Sequence, residues 1–211
     1  MKRIIMLVTL ALMVASAVAI SGVAQAKPTT GTKADAKCLV EAAKTVDQPG
    51  FNPSNYTFHG GTEGSDNFTG QAELTEGPDV FCGFGGAFDT ILTLEAGDIF
   101  LGGAGSDQVV VNEGTFYGGA DTNDSVFFNE GTYYGGEGED AVFKENTGTF
   151  YGGEGNDFVA TNNGTFFGEA GDDRVGPNSG TFDGGDGTDT VTTNSPGGIL
   201  ISVEVTLISS L

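Results

Sequence analysis

The chain has 211 residues, 36 of them glycine, and a formal net charge of −21. Only eight Lys and Arg are available to contact phosphates, so the composition excludes nucleic acid and anionic membrane surfaces as partners and favours a metal cation. Glycine at this level without a three-residue period excludes collagen, and 38% hydrophobic residues are too many for a disordered tail.

Residues 1–26 are predicted to be a secretory signal peptide. Lys2 and Arg3 precede an apolar core from Ile4 to Ile20, and Ala24-Gln25-Ala26 provides a small-x-small cleavage site. A membrane anchor is the alternative, but polar residues interrupt the apolar core before it reaches the length of a membrane span. We therefore expect cleavage after Ala26 and a secreted, extracellular protein with no membrane span.

Residues 27–56 are predicted to form a linker and one short helix. The helix covers Ala34 to Val46, where the apolar residues lie roughly on one face, and Gln48-Pro49-Gly50 ends it. We expect it to cap the open end of the domain that follows, since terminal units of repeat proteins hide exposed edges. Cys38 and Cys82 permit one disulfide in an oxidising compartment, and two separate buried thiols are the alternative.

From Leu101 to Val191 the block G-G-x-G-x-D recurs in steps of 16 or 17 residues, which indicates a repeat architecture. Each copy ends in an aspartate, and the regular series is Asp107, Asp124, Asp140, Asp157, Asp173 and Asp189. Less regular copies end at Asp66 and Asp89. The pattern divides residues 57–211 into irregular coils (57–100), regular coils (101–195) and a C-terminal capping strand (196–211), with about eight coils in all.

The first coil is aligned with the others through the segment Thr57–Gly61, which has nearly the same letters as Thr115–Gly119. This alignment leaves one extra residue before Asp66. It also places His59 at the position of the second, outward-facing aromatic residue of a regular coil.

Each coil contains two short strands, and because side chains alternate across a strand, one column of each strand points inward. The column of the first strand is Val109, Val126, Val142, Val159, Val175 and Val191. The column of the second strand is Phe100, Phe116, Tyr133, Phe150, Phe166 and Phe182. A shorter turn at the other edge carries Asn112, Asn129, Asn146, Asn162, Asn178 and Asn194. These columns predict an all-β fold, a right-handed parallel β-solenoid with a short N-terminal helix.

The glycine-rich turns predict a row of calcium sites along one edge of the solenoid. Calcium takes six to eight oxygen ligands, and turns stacked about 4.8 Å apart offer carboxylates and carbonyls from two successive coils. An oxygen-only ligand set disfavours zinc and copper. The glycines expected to take positive φ and turn their carbonyls toward the ions are Gly103, Gly105, Gly136, Gly138, Gly153, Gly155, Gly185 and Gly187. The alternative is that the aspartates only cap the turns by local hydrogen bonds.

The blocks resemble the nonapeptide G-G-x-G-x-D-x-U-x of the repeats-in-toxin (RTX) family, the calcium-binding β-roll of haemolysins and secreted proteases. The resemblance covers Leu101–Val191 well and Thr57–Phe100 loosely. It implies calcium held between successive turns by the aspartates named above and by loop carbonyls.

The chain departs from this family in the length of its coil. The second turn is a short Asn-x-Gly rather than a second nonapeptide, so we expect a single file of calcium ions on one edge and an asparagine ladder on the other. An insertion in Gly118–Asp124, and Glu169 in place of the second glycine, predict weaker or altered sites there.

Three functions are compatible with these patterns. We favour a non-enzymatic calcium-binding protein with a structural or surface-interaction role, because the only histidine is His59 and the solenoid holds only two basic residues, Lys144 and Arg174. A glycan-binding or adhesion module is the alternative, through an exposed aromatic stripe that would otherwise only stabilise the sheet. The stripe consists of Tyr117, Tyr134, Tyr151 and Phe167. A calcium-assisted polysaccharide-active enzyme is less favoured.

Overall fold

The computed structural model describes residues 32–46, 48–68, 77–85, 88–120 and 123–204. It confirms the predicted all-β solenoid with a short N-terminal helix. The predicted signal peptide, the first part of the linker and residues 205–211 of the predicted capping strand lie outside the described residues. Within the described part of the chain, no helix is long and apolar enough to cross a membrane.

The strands form two parallel sheets that face each other. We call the nine-stranded one the aromatic sheet, and its order is β1-β2-β4-β6-β8-β10-β12-β14-β16. Its strands are β1 Thr57–Gly60, β2 Asp79–Cys82, β4 Ile99–Ala104, β6 Thr115–Ala120, β8 Thr132–Glu137, β10 Thr149–Glu154, β12 Thr165–Ala170, β14 Thr181–Asp186 and β16 Ile199–Ile201. The seven-stranded valine sheet has the order β15-β13-β11-β9-β7-β5-β3. Its strands are β3 Thr90–Leu94, β5 Gln108–Asn112, β7 Ser125–Asn129, β9 Ala141–Asn146, β11 Phe158–Val159, β13 Arg174–Asn178 and β15 Thr190–Asn194.

The core is a single layer between the two sheets, as the alternation of the strands predicts. The valine column and the aromatic column form one buried cluster, extended toward the N-terminus by Phe68, Phe81 and Ile91. Successive rings from Phe100 to Phe182 stack with centroids 4.6–5.1 Å apart and planes within 10° of each other. The spacing of the rings is that of parallel strands, so the sheet ladder sets the stacking distance.

The edge with the short turns is held by the predicted asparagine ladder. From Asn112 to Asn178, each side-chain Nδ2 donates to the Oδ1 of the asparagine in the following coil, over 2.7–2.8 Å. In the regular coils the same Nδ2 also donates to the carbonyl oxygen of a threonine, over 2.8–3.1 Å. The ladder begins at Asn112, whose Oδ1 has no donor because Leu94 occupies this column in the preceding coil.

Interrupting the asparagine ladder in its middle should cost more than shortening it at its end. In Asn146→Leu, the Nδ2 of Asn129 and the Oδ1 of Asn162 both lose their side-chain partners in a buried site. We expect a loss of about 2–3 kcal/mol in the free energy of unfolding. Asn112→Leu is the matched control, because it removes only the first member, and its loss should be about half as large. Equal losses in urea denaturation of the two variants would contradict a cooperative ladder.

Helix α1 (Lys33–Thr45) lies in a different place from the one predicted. Its buried residues Cys38 and Ala42 pack with Phe58, Val80 and Ile99 on the outer face of the aromatic sheet, rather than across the open end of the rod. Thr32 caps the N-terminus of the helix in a capping box with Asp35. A 3-10 turn over Pro53–Asn55 lies between the helix and β1. The position follows from β2 and β4, which carry apolar residues on both faces and therefore need a cover on the outside.

Cys38 and Cys82 form a disulfide, with Cα atoms 5.5 Å apart. The disulfide joins the helix to β2 and closes a loop with a sequence separation of 44 residues. It therefore fixes the N-terminal segment to the start of the solenoid, which is the staple that the two cysteines allowed.

The register of the first coil differs by one residue from the predicted alignment. His59 pairs with Phe81, and its ring stacks on the Phe81 ring at 4.8 Å, so His59 continues the inner aromatic column. Phe58 faces outward under the helix. A slip of one residue exchanges the two faces of a strand. The interpretation of His59 as a substitute for an outer tyrosine is therefore wrong.

Candidate metal-binding edge

The aspartates that end the glycine blocks form a buried ladder along the edge opposite the asparagines. From Asp89 to Asp189 they are no more than 2% exposed. The backbone N–H of each donates to Oδ1 of the aspartate in the following coil, over 2.6–2.9 Å. Asp66 donates in the same way to Asp89, and Asp189 donates to Glu204, which ends the ladder. One oxygen of each carboxylate is thus committed to the protein backbone.

The first glycine of each block makes room for the other carboxylate oxygen. A Cβ atom at Gly135 would overlap Oδ2 of Asp140, and it would lie only 2.5 Å from the carbonyl oxygen of Gly152 in the next coil. The same relation holds between Gly118, Asp124 and the carbonyl of Gly135. Only glycine fits this position. As a result, a carboxylate oxygen of one coil and a carbonyl oxygen of the next converge at the inner corner of the turn.

Most of these second carboxylate oxygens are buried and have no hydrogen-bond partner. The oxygens concerned are Oδ2 of Asp89, Asp107, Asp140, Asp157, Asp173 and Asp189. An unpaired buried carboxylate oxygen costs several times more than an ordinary unsatisfied polar group. This cost recurs in coil after coil, and a row of bound cations or protons would remove it.

Burial raises the pKa of the aspartates in the ladder. It raises the pKa of Asp124 and of Asp157 to about 8, against hydrogen bonds from the backbone that act in the opposite direction. The pKa values of Asp107 and Asp140 rise to about 7, also mainly through burial. Neighbouring carboxylates of the ladder add to the rise at Asp124, Asp157 and Asp107. Near neutral pH the ladder therefore favours either a proton or a positive counter-ion.

The glycines at the second and fourth positions of the block adopt the positive φ that was predicted for them. All eight of the glycines proposed to orient carbonyls have φ between +96° and +144°. Where Phe84 (φ +79°) and Glu169 (φ +76°) replace the glycine at the second position, they adopt the left-handed conformation despite their side chains. The substitution at Glu169 therefore leaves the path of the turn unchanged.

Replacing Glu169 with glycine should stabilise the fold. The left-handed conformation costs a residue with a side chain about 1 kcal/mol, so we expect Glu169→Gly to raise the melting temperature by about 2–4 °C. Glu154→Gly is the matched control, because Glu154 lies in the neighbouring turn and does not have positive φ. Glu154→Gly should lower the melting temperature or leave it unchanged, and a rise as large as that of Glu169→Gly would contradict the explanation.

The oxygen atoms of this edge are of the type that calcium takes as ligands. They comprise the free oxygens of the ladder aspartates and carbonyls of the next coil, without sulfur or nitrogen ligands. Among the described residues, no three His, Cys, Asp or Glu side chains are placed to share one ion. A cation would thus rely on one or two carboxylates completed by backbone carbonyls.

The first two turns differ from the regular ones. Oδ2 of Asp66 accepts hydrogen bonds from the backbone and hydroxyl of Thr62, at 2.6 and 3.1 Å, so this carboxylate is already satisfied. Asp89 belongs to the ladder in full, although one residue is inserted between Gly83 and the aspartate compared with a regular turn.

Sequence reasoning did not find the first glycines or Glu204. The first glycine is constant even where the second is replaced, as Gly168 before Glu169 shows, and this constancy was the available signal. Glu204 lies outside any block, and only the fold brings it to Asp189. Tyr133 was assigned to the core alone, yet its buried hydroxyl has no hydrogen-bond partner of good geometry. Burial, and after it the nearby carboxylate of Asp140, raise the pKa of this hydroxyl.

The outer aromatic residues form a stacked ladder rather than a set of separate rings. Rings from Tyr117 to Phe167 lie 4.8–5.0 Å apart with planes within 13° of each other. The two middle rings, Tyr134 and Tyr151, each have both faces covered by neighbouring rings. A sugar ring, in contrast, stacks on an open aromatic face. Gln48 contacts the ladder at the hydroxyl of Tyr117. The geometry supports sheet stabilisation, which was the simpler interpretation of the stripe.

His59, Lys144 and Arg174, the residues considered for an enzyme, lie on different sheets. His59 lies at the N-terminal end of the solenoid, with Nε2 3.0 Å from Oδ1 of Asp79. Lys144 and Arg174 lie on β9 and β13 of the other sheet, on exposed positions.

Comparisons with protein-family models, with curated proteins and with solved structures find no match.

Proposed function

We propose that this chain is a secreted calcium-binding β-solenoid whose folding is coupled to calcium, and that its role is structural or in surface interactions rather than enzymatic. The observation that carries the proposal is the row of buried aspartates, each with one oxygen bound to the backbone and, in six of them, the second without a partner. The resemblance of the glycine blocks to RTX repeats agrees with this interpretation.

The coupling to folding follows from the energetics of the core. Each regular coil buries one valine and one aromatic side chain, which is little apolar surface for a coil rich in glycine. The buried carboxylates oppose folding when they are charged. A ligand that binds only the folded chain stabilises it in proportion to the logarithm of its concentration. Calcium supplied by the extracellular medium would fill this role.

Circular dichroism of the purified chain tests the proposal. At pH 8 in chelator we expect a weak, disordered spectrum. Titration with calcium should produce a β spectrum with a midpoint of about 10⁻⁴–10⁻³ M, the range of extracellular modules. Magnesium at the same concentration serves as the control cation, since it holds its water more strongly and demands a smaller octahedral site. A full β spectrum in chelator at pH 8 that calcium does not change would refute the coupling.

A further inference from the structure

The outer face of the valine sheet is apolar in its middle. Leu92, Phe128 and Phe143 are 52%, 41% and 46% exposed. Val110, Val111, Phe127 and Phe158 are half-buried beside them, and the rings of Phe127 and Phe143 touch edge to face at 5.6 Å. We call these seven residues and the adjoining Lys144, Glu145 and Arg174 the valine-sheet face. Helix α1 packs on β1, β2 and β4 of the other sheet. Contiguous apolar surface of the kind seen on the valine sheet is typical of an interaction site.

The charge of this face differs from that of the rest of the molecule. The seven strands of the valine sheet contain three charged residues, Lys144, Glu145 and Arg174, with a net charge of +1. The aromatic sheet carries no Lys or Arg in its strands but six acidic residues. Two copies of a chain with a net charge of −21 repel each other in most orientations. The valine-sheet face is where that repulsion is smallest.

The face is also arranged so that it can pair with itself. Strand β9 is the central strand of the seven, and it carries Phe143, Lys144 and Glu145. The ladder between β7 and β9 contains a bulge at this point, so Phe143 and Lys144 are both exposed. A two-fold axis at β9 would bring the two copies of Phe143 together. It would also place Lys144 of each copy near Glu145 of the other, which is the self-complementarity of an isologous contact.

The size of the valine sheet limits the area of such a contact. Seven strands about 4.8 Å apart and about five residues long cover about 550 Å² in each copy. The total of about 1,100 Å² lies just below the range of stable complexes, about 1,200–2,000 Å². This area fits a weak dimer rather than a permanent one.

We propose that two copies of this chain associate through their valine-sheet faces, as a weak symmetric dimer with the two sheets packed face to face. The occupant is a second copy because Lys144 and Glu145 can pair across the two-fold axis and the face is nearly neutral in charge on an otherwise acidic molecule. This inference goes beyond the calcium proposal, and it depends on the folded solenoid rather than on which cation holds it.

Sedimentation equilibrium of the purified chain in calcium, from about 5 to 500 µM, tests the proposal. The wild type should pass from monomer to dimer, whereas Phe128→Lys/Phe143→Lys should weaken association at least tenfold. Thr149→Lys adds a positive charge on the outer face of the other sheet, and it should leave association unchanged. The circular dichroism spectrum and melting temperature of each variant, in the same buffer, show whether it is folded.

Each outcome decides the question. A wild type that stays monomeric at 500 µM while folded overturns the dimer. A double variant that is folded and still dimerises like the wild type overturns the assignment of this face. If the double variant fails to fold, Lys144→Glu replaces it, because this exposed side chain forms no ion pair among the described residues. Lys144→Glu should also weaken association about tenfold, and unchanged association would overturn the proposal.

Discussion

In chelator, the chain is expected to be unfolded at pH 8 and folded at pH 5. The pKa of Asp124 and of Asp157 rises from 3.8 to about 8 in the folded chain, chiefly through burial. At pH 5 these carboxyl groups hold a proton and are neutral, whereas exposed carboxylates remain ionised. A proton on the ladder would then take the place of the counter-ion.

The direction of this pH dependence is opposite to that of most acidic proteins. Because the pKa values are raised by folding, the folded chain binds more protons than the unfolded chain between about pH 4 and pH 8, and its stability falls as the pH rises through this window. Each aspartate that titrates there contributes up to about 1.4 kcal/mol per pH unit. A few such groups are enough to remove the 5–15 kcal/mol that stabilise an ordinary domain.

Urea denaturation followed by circular dichroism between pH 5 and 8, with chelator or with 10 mM calcium, measures both effects. We expect the transition midpoint in chelator to fall steeply with pH and the midpoint in calcium to stay high at pH 8. A midpoint in chelator that is constant or rises from pH 5 to 8 would mean that the ladder is not a buried row of acids with raised pKa.

Replacing two adjacent ladder aspartates with asparagine is expected to have opposite effects in the two conditions. In Asp140→Asn/Asp157→Asn, the amide oxygen can still accept the backbone N–H, and the amide nitrogen replaces the unpaired oxygen. Two buried charges are removed, so at pH 8 in chelator the variant should be more stable than the wild type by about 3–6 kcal/mol. In calcium it should gain less from the ion, because two ligand oxygens are lost.

Asp183→Asn/Asp186→Asn is the control, since it removes the same charge from strand β14 while leaving the ladder intact. It should shift the melting temperatures with and without calcium by the same small amount. Isothermal titration calorimetry should give fewer calcium ions bound by the ladder variant than by the control. Equal calcium binding by both would place the ions away from the ladder and contradict the proposed site.

The regular coils could be predicted from the sequence because each one repeats the same residue types at the same spacings. The valine, aromatic and asparagine columns are separated by fixed spacings, so alternation along the strands fixes which side chains are buried. Asn146 and Val142 lie in the structure where the pattern placed them. Local rules were sufficient here because every coil repeats the same contacts.

The first coil could not be predicted in the same way, because two registers give nearly the same letters. Thr57-Phe58-His59-Gly60-Gly61 matches a regular coil by eye, yet Gly61 is the glycine whose missing Cβ faces Asp66. Counting five residues back from the aspartate, as from Asp107 to Gly102, would have given the correct register. This spacing is five residues in most turns and six before Asp89 and Asp124, and in each turn the glycine packs against the carboxylate.

The position of the helix and the inward direction of the ladder are tertiary effects. The sequence of residues 32–46 does not by itself show whether the helix packs across the end of the solenoid or on its side. The apolar outer face of β2 and β4 decides between them, through Val80, Ile99 and Leu101. Likewise, the pairing of one carboxylate oxygen with the backbone of the preceding coil depends on the stacking of two turns, which a single block does not encode.

Both edge ladders point the same way along the chain, and this direction has a consequence for the order of assembly. In each ladder the donor lies in one coil and the acceptor in the coil that follows it in sequence. During synthesis from the N-terminus, the hydrogen-bond donors of each coil are therefore made before their acceptors in the next coil. The last acceptors are the carbonyl oxygen of Gly198, which accepts from Asn194, and the carboxylate of Glu204, which accepts from Asp189. A chain truncated before these two residues would therefore lack the final acceptor of each ladder.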